Sequence, residues 1–209
     1  MEVLHSLSLK RAIFHSEADF QHALAWEIHQ YKNHYKIRLE YNPNIKGIVN
    51  MHIDIFIEDE NWKYGIELKY KTKKAFYNLE GEIFNIKGHS AQDCARYDYL
   101  LDVERLEKLS HIYERKFIGY AIFLTNDHLF WDPPANEKTI DKNFRIHQGR
   151  NIHGSLQWVG PYSLGTVRKR EGEISISGEY DIRWNEYSVL EINDGNEKDD
   201  IFNYCCLKV

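Results

Sequence analysis

The chain has 209 residues, 43% hydrophobic and 14% aromatic, enough to bury one sizeable core, and this composition excludes a largely disordered protein. Its 27 Lys and Arg stand against 32 Asp and Glu, a formal net charge of −5 that excludes a protein coating nucleic acid through a global basic field; any such contact must be local. There is no run of about 18 apolar residues, and the first ten residues lack a long apolar stretch behind a basic start, so the expectation is a cytoplasmic protein without a membrane partner. Three cysteines, Cys94 and the vicinal Cys205 and Cys206, are unsuited to a bridge or a zinc site and read as reduced thiols.

From Ser16 to Ile28 the sequence reads as a helix capped by Ser16, with Asp19 three residues on and Phe20, Leu24, Ile28 and Tyr31 at helical spacing. Glu17 falls within about 20° of that apolar stripe, so its carboxylate either serves a site or complements the helix dipole. His15, His22 and His29 recur every seven residues, about 10 Å apart along a helix, too far for one metal ion and consistent with a polar edge.

Residues 52–57 then alternate as a strand does, with Asp54 on one face among His52 and Phe56. Residues 58–61 are polar and short enough for a hairpin. In Gly65–Tyr70, Glu67 and Lys69 share a face while Ile66, Leu68 and Tyr70 take the other. A hairpin sets Asp54 beside Glu67, and two adjacent carboxylates suit Mg²⁺ or Mn²⁺. With 28% charged residues such juxtapositions also arise without function, so the weight rests on context. Lys63, Lys69, Lys71, Lys73 and Lys74, interleaved with Tyr64, Tyr70, Phe76 and Tyr77, make either a patch for phosphates and bases or an ordinary lysine-rich strand end.

Residues 77–89, with Gly81 and Gly88, read as a mobile flap. A helix is expected from Ser90 to Leu109; Gln92 and Arg96 lie one turn apart as candidates for phosphate or carboxylate contacts, and Asp102, Glu104 and Glu107 read as solvated charges. The near-continuous apolar run Phe117–Leu124 predicts a central strand, followed by Thr125–His128, which either line a site or form a turn. Residues 132–172 predict long loops in which Arg168, Lys169 and Arg170 offer a second phosphate contact, and Ile174–Ser177 and Phe202–Val209 predict strands. No repeat or linker divides the chain, so residues 1–209 are expected to form a single domain.

In this order, a helix carrying Glu17, a hairpin carrying Asp54 and Glu67-Leu68-Lys69, and a returning helix carrying Gln92, the chain resembles the PD-(D/E)XK, or restriction-endonuclease-like, nuclease superfamily over about residues 15–125. Two departures stand out: Gln92 and Tyr97 are five apart rather than four, and no Pro precedes Asp54. The resemblance implies an α/β fold with a three-layer α/β/α core around a central mixed sheet, and C-terminal strands and loops over 126–209. It implies a Mg²⁺- or Mn²⁺-dependent endonuclease, a hydrolase of phosphodiester bonds whose partner is nucleic acid, in first place DNA in restriction, repair or defence. Glu17, Asp54, Glu67, Lys69 and Gln92 would be catalytic, with Asp54, Glu67 and Glu17 on the metal and Lys71, Lys73, Lys74 and Arg96 on the nucleic acid. Two-stranded cleavage would call for a homodimer. The alternative from another class is a noncatalytic nucleic-acid- or protein-binding module that keeps the fold.

Overall fold

A computed structural model describes residues 2–45, 51–114, 116–163, 165–190 and 200–209. The N-terminal helix α1 (Glu2–Lys10) leads into α2 (Glu17–Tyr31), where the expected cap forms: Ser16 Oγ accepts from the Asp19 amide at 3.1 Å. Asp19 does not close a capping box but takes the His15 amide and the Arg11 guanidinium. Strands β1 (Lys36–Tyr41), β2 (Ile53–Glu58) and β3 (Lys63–Tyr70) follow, the last two joined by a turn in which Asp59 Oδ1 accepts the amides of Asn61 and Trp62.

The segment expected to be a mobile flap is instead a hairpin, β4 (Ala75–Leu79) and β5 (Glu82–Ile86). Glu80 and Gly81 turn it with φ of 51° and 91°, the two positive values a tight hairpin turn needs, and Tyr77, Phe84 and Ile86 are buried. Helix α3 (Gln92–Ile112) returns the chain to β6 (Phe117–Thr125). Beyond it come β7 (Asn151–Leu156), β8 (Ile174–Asp181), β9 (Trp184–Val189) and β10 (Ile201–Lys208).

Six strands form one mixed sheet in the order β1-β2-β3-β6-β10-β9, with only β3 and β6 parallel. The apolar run thus does lie centrally. Its side chains alternate between two buried clusters: Ala121 and Phe123 join Tyr99, Val103 and Leu106 of α3, while Ile122 and Leu124 join Leu7, Phe20 and Leu24 of α1 and α2. Gly65 and Gly119 sit opposite each other on the parallel ladder. A Cβ on Gly119 would stand 2.8 Å from Leu106 Cβ, and one on Gly65 2.5 Å from Phe117 Cζ. Their lack of side chains lets α3 settle close to the sheet. The separate β7–β8 hairpin covers another side of α3, contributing Ile152, Ile174 and Ile176 to the same cluster. Among the described residues no helix is long and apolar enough to cross a membrane.

Candidate active site

The registered pairs of β2 and β3 run from Glu58–Lys63 to Ile55–Ile66 and stop there. One residue further, the Asp54 carboxylate takes the place of a ladder carbonyl: its Oδ2 accepts the Leu68 amide at 2.6 Å. Gln21 of α2 steadies the parted strand by donating to the Asp54 carbonyl at 2.7 Å. The strands therefore separate where the two acids stand.

Asp54, Glu67 and Lys69 face α3, since Ile66, Leu68 and Tyr70 belong to the cluster on the other side. There they meet Asp102 and Arg105. Lys69 Nζ is joined to Asp102 Oδ2 and donates to the Leu68 carbonyl at 3.2 Å. Arg105 donates to Asp102 Oδ1 at 3.0 Å and to the His52 carbonyl at 2.8 Å, and its Nη2 lies 3.5 Å from Glu67 Oε1. That oxygen is buried and has no hydrogen bond, and Glu67 as a whole is 3% exposed.

Three carboxylates, Asp54, Glu67 and Asp102, thus share two cations. Burial pushes the Asp54 carboxyl up to about 6, the Leu68 amide and the Lys69 charge offsetting only part. Burial together with Asp102 holds Glu67 well above the usual carboxylate range, with Arg105 opposing. For Lys69, burial works against the ammonium, but the Asp102 carboxylate prevails and its pKa is raised. Lys69 is held positively charged, while Asp54 and Glu67 hold their protons more readily than ordinary carboxyls.

The other expected residues fall into place around this cluster. Glu17, at the first turn of α2, accepts the Tyr70 amide at 2.7 Å and lies 3.3 Å from Lys71 Nζ. Its charge is felt at Asp54 and Lys69. Among the described residues no three His, Cys, Asp or Glu side chains converge as a group that could hold a metal ion. Gln92 donates to Asp127 Oδ2 at 3.0 Å, beneath the end of β6. Lys73 Nζ lies 3.0 Å from His128 Nδ1, and Lys74 is exposed. Arg96 is 3% exposed, donating to Asp141 at 2.7 Å and to the Leu129 carbonyl at 2.7 Å, so its guanidinium is held by the protein's own acceptors.

Asp102, Glu104 and Glu107 correct the reading of α3 as a helix with solvated acids. All three are buried: Asp102 on Lys69, Glu104 on the Ser175 amide, and Glu107 on the amides of Ser177 and Gly178 and the Tyr180 hydroxyl. The signal for Asp102 was present in its position three residues after Tyr99 and four before Leu106, on the apolar stripe. Arg170 likewise is engaged, by both oxygens of Asp98. Asp127 caps the short turn after β6, accepting the Leu129 amide at 3.1 Å. The cysteines form no disulfide among the described residues. No family model, curated protein or solved structure matches this chain.

Proposed function

We propose that the chain is a divalent-metal-dependent phosphodiester hydrolase acting on nucleic acid, in first place DNA, on a restriction-endonuclease-like three-layer core. The observation that carries this reading is the parting of β2 and β3 at Asp54, which puts Asp54, Glu67 and Lys69 on one face with Glu67 Oε1 lacking a hydrogen bond. The distribution of the two clusters on opposite sides of the sheet supports the layered core.

The donor set fits Mg²⁺ or Mn²⁺. Such an ion takes one or two protein carboxylates and leaves its remaining positions to water and phosphate; here Asp54 and Glu67 stand together, burial makes both hold protons that a divalent cation would displace, and one Glu67 oxygen is an unused acceptor. Asp54 and Glu67 would hold it. When bound, the ion supplies Lewis-acid polarisation of a phosphate oxygen and a water of lowered pKa.

The remaining work belongs to the chain. Lys69 Nζ, kept charged by Asp102, stabilises the negative charge that grows on the phosphate oxygens in the transition state. Arg105 orients Glu67 through its 3.5 Å approach, and Asp102 ties Lys69 of β3 to α3 while pairing with Arg105 on the same helix. Lys71, Lys73 and Lys74, at the end of β3, supply contacts to flanking phosphates.

The test is cleavage of plasmid, linear and single-stranded DNA and of RNA with Mg²⁺, Mn²⁺ or EDTA, beside Asp54→Ala and Lys69→Ala. Metal-dependent cutting by the wild type, lost in both variants with their circular dichroism unchanged, is expected. Undiminished cutting by Lys69→Ala would sink the assignment. The deep burial of Glu67 favours a second reading, a noncatalytic nucleic-acid- or protein-binding module. No cutting, together with no heat of Mn²⁺ binding, would select it.

A further inference from the structure

Around the start of α3 the last third of the chain builds a groove that the chemistry proposed above does not use. A cleft of about 590 Å³ is lined by Gln92, Arg96, His128 and Arg145 among others. It shares Pro133, Pro134, Asn136 and Arg145 with a second of about 390 Å³ that takes in Lys142 and Arg150. On its other flank it shares Ser90 and Asp93 with a third of about 700 Å³, bordered by Arg168, Lys169 and Arg170. Their shared walls set the three side by side along one face.

The charge of that groove is opposite to that of the chain. Its walls carry seven Lys or Arg against four Asp or Glu, in a protein whose formal net charge is −5, and the positive excess remains when Arg170 is set against its partner Asp98. Behind it two guanidinium groups share one carboxylate: Asp141 lies 2.7 Å from Arg96 and 3.2 Å from Arg145, and the Nε of each arginine is buried without a hydrogen-bond partner. The positive end of α3, 21 residues long and lacking a side-chain cap, opens where the first and third clefts meet. Lys142, Arg168 and Lys169 are exposed along the rim. At the inner end, the 3.0 Å approach of His128 to Lys73 joins the groove to the lysines that follow β3.

None of the residues lining the three clefts is Phe, Tyr or Trp, so the groove offers charge and hydrogen-bond donors rather than stacking platforms. That chemistry suits a run of phosphates and reads no base sequence. We propose that this groove binds the phosphate backbone of a nucleic-acid strand and leads it past Lys142, Arg145 and Arg168 toward the carboxylates of β2 and β3. The choice of nucleic acid among polyanions rests on the hydrolase reading.

The test is fluorescence anisotropy of a labelled DNA oligonucleotide in EDTA, where binding is read without cleavage. The variant Lys142→Gln/Arg168→Gln/Lys169→Gln is compared with Lys32→Gln/Lys36→Gln/Lys208→Gln, which makes the same charge change at other exposed positions. The groove variant is expected to bind at least about tenfold more weakly, with the slope of log affinity against log salt shallower by about 2, as the loss of three phosphate contacts predicts. The control is expected to stay within about twofold of wild type. Equal weakening of both variants, unchanged binding by the groove variant, no wild-type binding at low salt, or equal competition by polyglutamate would each overturn the proposal. Wild-type binding without cutting under any metal would remove the hydrolase and leave the groove; cutting by the groove variant with unchanged KM would remove the groove and leave the hydrolase.

Discussion

Replacing Asp54 with Asn is expected to abolish cleavage and yet stabilise the metal-free protein at neutral pH. The carboxyl is pushed from 3.8 to about 6 by burial, beside Glu67 and Asp102. At 1.36 kcal/mol per unit, keeping it ionised in the folded state costs about 3 kcal/mol. The Asn carboxamide oxygen can still accept the Leu68 amide, while its NH₂ group lacks a carboxylate's solvation and costs about 1 kcal/mol, leaving a net gain of about 2 kcal/mol. The sign depends on pH. Because the folded state binds this proton more tightly than the unfolded chain, the wild type's extra stability is complete below about pH 4 and lost as pH rises through about 6; the variant has no such proton. Urea unfolding in EDTA from pH 3 to 8 is therefore expected to show the Asp54→Asn variant less stable than wild type by about 1 kcal/mol at the acid end and more stable by about 2 kcal/mol at pH 7, the two curves crossing between. Adding Mn²⁺ at pH 7 is expected to raise wild-type stability and leave the variant unchanged. A variant less stable than wild type at every pH would refute the electrostatic reasoning.

Two further predictions concern the packing that holds the site. Gly119→Ala puts a methyl group 2.8 Å from Leu106 Cβ and is expected to cost about 1–3 kcal/mol in urea unfolding; a neutral result would show that α3 does not approach the sheet as described. Glu107→Ala removes the acceptor for two amides and the Tyr180 hydroxyl, with an expected loss of about 3 kcal/mol and faster hydrogen exchange at Ser177 and Gly178; unchanged exchange there would contradict the bonding.

The parts of the fold legible in the sequence were those set by neighbouring residues. Alternation and an Asp turn mark the β2–β3 hairpin, Ser16 marks the start of α2, and the apolar run marks β6. The β4–β5 hairpin was also local, but its Gly81 reads equally as a mobile hinge until the burial of Tyr77 and Phe84 is known. Among the acids of α3, Asp102 gave a signal by its place on the apolar stripe, but Glu104 and Glu107 escaped because their spacing is also that of a solvated helix. Only the arrival of β8 from some seventy residues away, and of Lys69 from the sheet, gives them buried partners. Likewise Gln92 and Arg96 are one turn apart on the helix, yet Asp127 and Asp141, remote in sequence, decide what each holds.

The bonds from α3 to β8 have a consequence for how the molecule meets its own copies. In the described residues β8 pairs only with β7, so its other side is an edge at which another chain's strand could add. Glu104 and Glu107 occupy the alternate amides of Ser175 and Ser177 along that side, and Glu107 also takes the amide of Gly178. An incoming strand would find the amide donors that its carbonyls need already taken, and two carboxylates in its way. A helix that helps set the charge at one face of the sheet thereby insulates a small hairpin from aggregation.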